Sequence, residues 1–174
     1  MYYVSQILYA QGYDVHYFDE DAVTWLGDGE AFDVADNAVG NQNIHEIAIY
    51  GASHGGGSVY CLSHYWNLNG GVGGLFEADV LFAAYVDAIR NVGIFTTDPE
   101  DRYPTAADFC INIYQTHNGG VAGLFGTSIP GAFNIHVSVP PFDTWGLLLD
   151  HGTMDDSVYI QQGIIEQLML HVDR

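Results

Sequence analysis

Lysine is absent from the 174 residues, and the only bases besides histidine are Arg90, Arg102 and Arg174. Against them stand 22 acids, for a formal net charge of −19. Proteins hold nucleic acids and anionic lipid surfaces by neutralising phosphates with Lys and Arg, so such a chain is not built to bind either directly. Long apolar runs are missing too: none approaches the ~20 residues that a membrane helix needs. Cysteine is limited to Cys61 and Cys110. Two are too few for a disulfide framework, and they form no CxxC pair. Both lie in apolar segments, where two buried, reduced thiols are expected.

The motifs of metal and nucleotide chemistry are also missing. There is no H-E-x-x-H, no paired Cys/His spacing, no EF-hand loop and no P-loop. The expectation is a chain without metal or cofactor. The acidic runs Asp19-Glu20-Asp21 and Asp98-Pro99-Glu100-Asp101 read as solvated loops. The first residues, MYYVSQILYAQGYDV, lack the basic start and apolar stretch of a secretory signal, so the chain as given carries no export signal and cytoplasmic residence is the default.

What is present describes a folded domain. Hydrophobic residues make up 48% and charged residues 14%, too apolar and too weakly charged for disorder. The length fits one domain, 1–174. Mutual repulsion of so many acids destabilises a compact state unless salt screens it. The surface is therefore expected to reflect adaptation to a salty environment, with simple drift to a low pI as the alternative.

Along the chain, Tyr3, Val4, Ile7 and Leu8 recur at helical spacing and Gly12 supplies a stop. Tyr13 to Phe18 reads as a strand and Trp25 to Glu30 as a loop. Ala31 to Val39 reads as a short helix closed by Gly40. Ile44 to Tyr50 is β-rich, and Ser58 to Trp66 helical. Val80 to Val86 is a near-continuous apolar run, as in a strand covered on both faces. The polar stretch Asn91 to Asp108, with Pro99 and Pro104, reads as loop. Phe109 to Tyr114 and Ala132 to Val139 read as strands. Thr153 with Asp156 marks the start of a last helix carrying Ile160, Ile164, Leu168 and Val172 on one face. Two similar segments, Asn69 to Phe76 and Asn118 to Phe125, read as glycine loops and not as a domain repeat. The alternation predicts an α/β fold: a three-layer αβα sandwich around a mostly parallel sheet.

The segment that carries chemistry is Ile47-Ala-Ile-Tyr50 followed by Gly51-Ala52-Ser53-His54-Gly55-Gly56-Gly57. It reads as a strand, then G-x-S-x-G, then a helix. Such a turn is too tight for side chains two positions before and after the serine, so Gly51 and Gly55 are expected to be sterically required. The serine is forced into a strained conformation that lifts its hydroxyl above the sheet edge, at a helix N-terminus that favours negative charge. The bland alternative is a glycine-rich turn with an incidental serine.

With these residues the chain resembles the α/β-hydrolase superfamily, in particular lipase- and esterase-like members with an elbow of the form G-x-S-H-G-G-G. The resemblance runs from the first helix to the last. It implies a Ser–acid–His triad in that chain order, with the partners downstream of Ser53. A serine hydroxyl needs a histidine base at neutral pH. His54 is the elbow's variable residue, His64 lies along a helix, His136 in a strand and His171 in the last helix. His151, in a loop just before that helix, stands where similar hydrolases carry their base, and His117 is the runner-up. For the acid, Asp87 directly follows the apolar strand, and an unpaired carboxylate beside a buried sheet is costly. Asp143 is a weaker alternative, and Asp150 is too close to His151 in sequence to reach its ring.

In that superfamily the oxyanion hole combines the N–H after the nucleophile, here His54, with one from a loop after an earlier strand. That earlier strand and loop have no counterpart here. Either the sequence is an N-terminal fragment or the sheet closes up differently, and a missing donor costs on the order of 10²–10³ in rate. The expected activity is hydrolysis of small, neutral carboxylic esters through Ser53, His151 and Asp87. The alternatives are a truncated or degenerate hydrolase-like module that binds without catalysis, and a thioesterase or peptidase on the same scaffold.

Overall fold

A computed structural model describes residues 2–69, 78–93, 96–116, 124–137 and 151–173. Among these the elements run α1 (Tyr2–Ala10), a 3₁₀ turn (Glu20–Ala22), α2 (Glu30–Gln42), β1 (Glu46–Ala52), α3 (His54–Leu68) and β2 (Asp79–Val86). Then follow β3 (Ile89–Gly93), β4 (Thr96–Pro99), β5 (Ala107–Tyr114), β6 (Phe133–His136) and α4 (Val158–His171). His117, Asp143, Asp150, Pro140-Pro141 and most of both glycine loops lie outside the described residues.

The fold is α/β. Strands β1, β2, β5 and β6 form one sheet in that order, and every pair in it is parallel. Side chains alternate along β2: Phe82, Ala84 and Val86 face one apolar cluster, while Ala83 and Tyr85 face another. Val4 and Leu8 of α1 with Ile160 and Ile164 of α4 fill the first cluster. Val39 of α2 with Val59, Leu62 and Trp66 of α3 fill the second. A strand buried on both faces must be apolar at every position, which is why VLFAAYV reads as a continuous run. Each fully buried large side chain here, such as Phe82 or Trp66, contributes about 1.5–3 kcal/mol. Among the described residues no helix is long and apolar enough to cross a membrane.

Several expectations need correction. Tyr13 to Phe18 is not a strand. Its β-formers find no ladder partner among the described residues; instead Tyr13 and Val15 pack on the first cluster and Phe18 on the second. The Tyr13 hydroxyl donates to the carbonyl of Val172 at 3.0 Å, tying this segment to the end of α4. Helix α2 runs through Gly40 and ends at Asn43, which takes the left-handed conformation (φ 61°) and returns its N–H to Ala38. Asparagine is the usual substitute for glycine in that cap. The polar stretch after Asn91 is not all loop: β3 and β4 form an antiparallel hairpin, with Pro99 at its end where a missing donor is tolerated. The last helix starts after Ser157, not at Thr153, and residues 151–156 form turns.

The hairpin leads into a partly buried ion pair. Glu100, 1% exposed, takes two hydrogen bonds of 2.7 Å from the guanidinium of Arg102. That guanidinium lies over the ring of Tyr60 on α3, 3.6 Å from its centre. Burial pulls the Arg102 pKa down, but its bonds and charge contact with Glu100 outweigh this and carry it up. The Glu100 N–H donates to the carbonyl of Ala88 at 2.8 Å, so the pair fastens the turn that follows β2. Cys61 on α3 and Cys110 on β5 are free thiols, the first half-buried and the second buried.

Candidate active site

The C-terminal ends of neighbouring parallel strands are where an open α/β sheet presents its site. Ser53 follows β1 and Asp87 follows β2. Ser53 has φ 53° and ψ −128°, and Asp87 has φ 45°. Both are conformations that side-chain-bearing residues rarely adopt, at a cost of about 1–3 kcal/mol each. The surrounding ladder enforces them. The Ser53 N–H donates to Val86, the Ile89 N–H donates to the Ser53 carbonyl, and the Asp87 N–H donates to Ile113.

The glycines of the elbow divide their work differently from the motif rule. A Cβ on Gly51 would lie 2.2 Å from the carbonyl oxygen of Gly55, so this position must be glycine. A Cβ on Gly55 meets nothing within 4 Å. Gly56 carries the second constraint instead: its Cβ would sit 2.2 Å from that of Ala88. The close approach is between α3 and the turn after β2, one residue later than the motif suggests.

His151 completes the arrangement from the far end of the chain. The Ser53 Oγ lies 2.7 Å from His151 Nε2, and His151 Nδ1 lies 2.8 Å from Asp87 Oδ2. A carboxylate can only accept, so Nδ1 carries the proton toward Asp87, and Nε2 of the neutral ring accepts from the serine hydroxyl. The His151 side chain is 8% exposed and that of Asp87 1%, while Ser53 is half-buried. The turn bearing His151 is pinned by Met154, which is wholly buried against the first apolar cluster. The side-chain amide of Gln161 donates to the carbonyl of Asp155 and holds the turn to α4.

Asp87 does not lack partners. Besides His151, it accepts the Gly126 N–H (2.7 Å) and the Gln115 N–H (3.2 Å) on Oδ1, and the Gln115 side-chain N–H (2.8 Å) on Oδ2. The other downstream histidines within the described residues are engaged elsewhere. His64 stacks on Tyr60, His136 on Tyr114, and His171 on Phe109, with ring centres 5.5, 4.8 and 4.1 Å apart. His54 is the first residue of α3, where a helix leaves its amide N–H groups without intrahelical partners.

Ser53, His151 and Asp87 are thus brought together, with His54 beside them in the chain. Gln115 and Gly126 were not anticipated. The signal for Gln115 was legible: an amide side chain directly after the buried strand β5 must find partners. Such a chain of groups can transfer a proton from a hydroxyl to an imidazole and stabilise the cation formed. No protein-family model, curated protein or solved structure matches this chain.

Proposed function

We propose that this protein is a serine hydrolase of the α/β-hydrolase type that cleaves small, neutral carboxylic esters. The observation that carries the reading is the unbroken line from Ser53 Oγ through His151 to Asp87, with the serine held at a positive φ between a strand and a helix. A serine in a chance glycine turn has no reason to meet a histidine distant in sequence that is itself braced by a buried carboxylate.

In the proposed mechanism Ser53 Oγ attacks the ester carbonyl while His151 Nε2 takes its proton. Asp87 keeps the proton of Nδ1 in place and stabilises the imidazolium. The tetrahedral oxyanion forms beside the first turn of α3, where the His54 N–H and the helix dipole favour negative charge. His151 then protonates the leaving alcohol, giving an acyl group on Ser53. Water, deprotonated by the same imidazole, attacks the acyl carbonyl; the acid leaves and Ser53 recovers its proton. The net charge of −19 repels anionic substrates and so favours neutral esters in the encounter.

Hydrolysis of p-nitrophenyl acetate tests this reading. The expected result is saturable turnover that disappears in Ser53→Ala. A folded chain with no activity above that variant, on esters, thioesters or peptides, contradicts it and favours a binding module. Turnover confined to thioesters or peptides keeps the mechanism and replaces the substrate class.

A further inference from the structure

From the bonds to the acid, and resting on the hydrolase reading, we infer that Gln115 is a positioning residue: it fixes the carboxylate of Asp87 in the orientation that aligns His151 with Ser53. Asp87 Oδ2 is the atom that meets His151 Nδ1, and the same oxygen receives the side-chain N–H of Gln115 at 2.8 Å. The backbone N–H of Gln115 bonds the other oxygen at 3.2 Å. One residue therefore grips both carboxylate oxygens, one of them through a side chain that can be changed. Gln115 is 0% exposed, so no water competes for that grip. Its amide orientation is determinate, because the reverse would set Oε1 against an oxygen that only accepts.

Gly126 supplies the remaining donor and shows how closely this cradle fits. Its N–H is 2.7 Å from Asp87 Oδ1, and a Cβ at this position would sit 2.6 Å from the same oxygen. The Gln115 side chain also reaches the carbonyl of Leu124 at 3.4 Å, and the backbone carbonyl of Gln115 accepts from the Gly126 N–H at 3.1 Å. Leu124 and Gly126 are thereby tied to the acid and to the residue that grips it. A carboxylate held at one oxygen only is free to turn about its Cβ–Cγ bond. Held at both, it presents Oδ2 to the imidazole in one geometry, and small misplacements of such groups are costly in rate.

The test compares the whole chain with Gln115→Met, which keeps the length but has no side-chain N–H, and Gln115→Leu, a second apolar side chain without a donor. The readouts are kcat and KM for p-nitrophenyl acetate, and the low-field Nδ1–H proton resonance of His151. A positioning role predicts a loss of kcat on the order of 10- to 100-fold with KM nearly unchanged, since a hydrogen bond to a charged group is lost. It also predicts that the resonance shifts or vanishes. A purely structural tie lowers the melting midpoint and leaves both readouts alone. Wild-type kcat and an unmoved resonance in either folded variant overturn the inference. A wild-type chain that turns over no ester, thioester or peptide overturns the hydrolase reading instead, and the resonance then decides on Gln115 alone: unmoved, the inference falls; moved, Gln115 orients the pair.

Discussion

Ser53 and Asp87 each stand one residue beyond the register pair Ala52 and Val86. Two neighbouring parallel strands therefore end together and deliver a hydroxyl and a carboxylate side by side. The gap between them is filled by the imidazole of His151, which bonds to both. The two end residues adopt positive φ angles, and the turn after β1 hangs on the turn after β2 through the bonds of Ser53 to Val86 and Ile89.

The carboxylate fixes which imidazole nitrogen carries the proton, so Asp87→Asn should fold with reduced stability, since its amide N–H groups face the donors that the carboxylate now answers, and lower kcat on the order of 10⁴-fold, because an amide can hold the ring in the wrong tautomer. Ester hydrolysis by the folded variant, with circular dichroism as the check on folding, measures this. Loss of less than about tenfold would remove Asp87 from the mechanism.

The elbow predicts a contrast among its glycines. Gly51→Ala drives a methyl into backbone and Gly56→Ala drives one into Ala88, so each should destabilise by about 2 kcal/mol or more. Gly55→Ala meets open space inside a helix, where alanine is favoured, and should be neutral or stabilising by up to about 1 kcal/mol. Urea unfolding of the three variants separates them.

This contrast marks what could be read from residue order and what could not. The strand–turn–helix around Ser53 and the buried run of β2 follow from local chemistry: glycine at a tight turn and apolar residues on both faces. The choice of Asp87 and His151 as partners of Ser53 rests on the resemblance to α/β-hydrolases, helped for Asp87 by the cost of an unpaired carboxylate beside a buried sheet. The burden carried by Gly56 and not Gly55 depends on Ala88, far away in sequence. The fate of Tyr13 to Phe18 depended on whether a strand lay beside it, which β-propensity does not encode. The hairpin of β3 and β4 was masked by polar residues and Pro99, since a two-stranded ribbon needs no continuous apolar run. Gln115 carries no catalytic signal of its own in the residue order, because an amide neither titrates nor attacks; its role depends on Asp87, which is distant from it in sequence.

Stability should fall in alkali. Burial pushes the Cys110 thiol from 9.0 up to about 12, and burial likewise carries the Tyr85 phenol well above 10.0. The folded state holds both protons more tightly than the unfolded chain does. That contribution is complete below pH 9.0, the thiol's ordinary value, and is lost as pH climbs toward about 12. Each group steepens the decline by up to about 1.4 kcal/mol per pH unit. Urea midpoints measured from neutral to strongly alkaline pH should drop, and Tyr85→Phe should flatten the upper part of the curve. An unchanged midpoint would contradict this.

Salt should stabilise the protein. With 22 acids against 3 arginines, of which Arg90 and Arg102 are already paired with Asp101 and Glu100, surface repulsion has few internal counter-charges. The melting midpoint is expected to rise from low to molar KCl, most steeply where the Debye length shrinks below about 10 Å. A midpoint indifferent to salt would assign the acidic surface to drift.

The central claim is that Ser53 is a nucleophile activated by His151. Treating the intact chain with a fluorophosphonate and locating the adduct by peptide mass spectrometry tests it most directly. The account predicts one adduct per chain, on the Ser53 hydroxyl, abolished in Ser53→Ala and strongly slowed in His151→Ala. An unlabelled chain, or label that persists in Ser53→Ala, would contradict it.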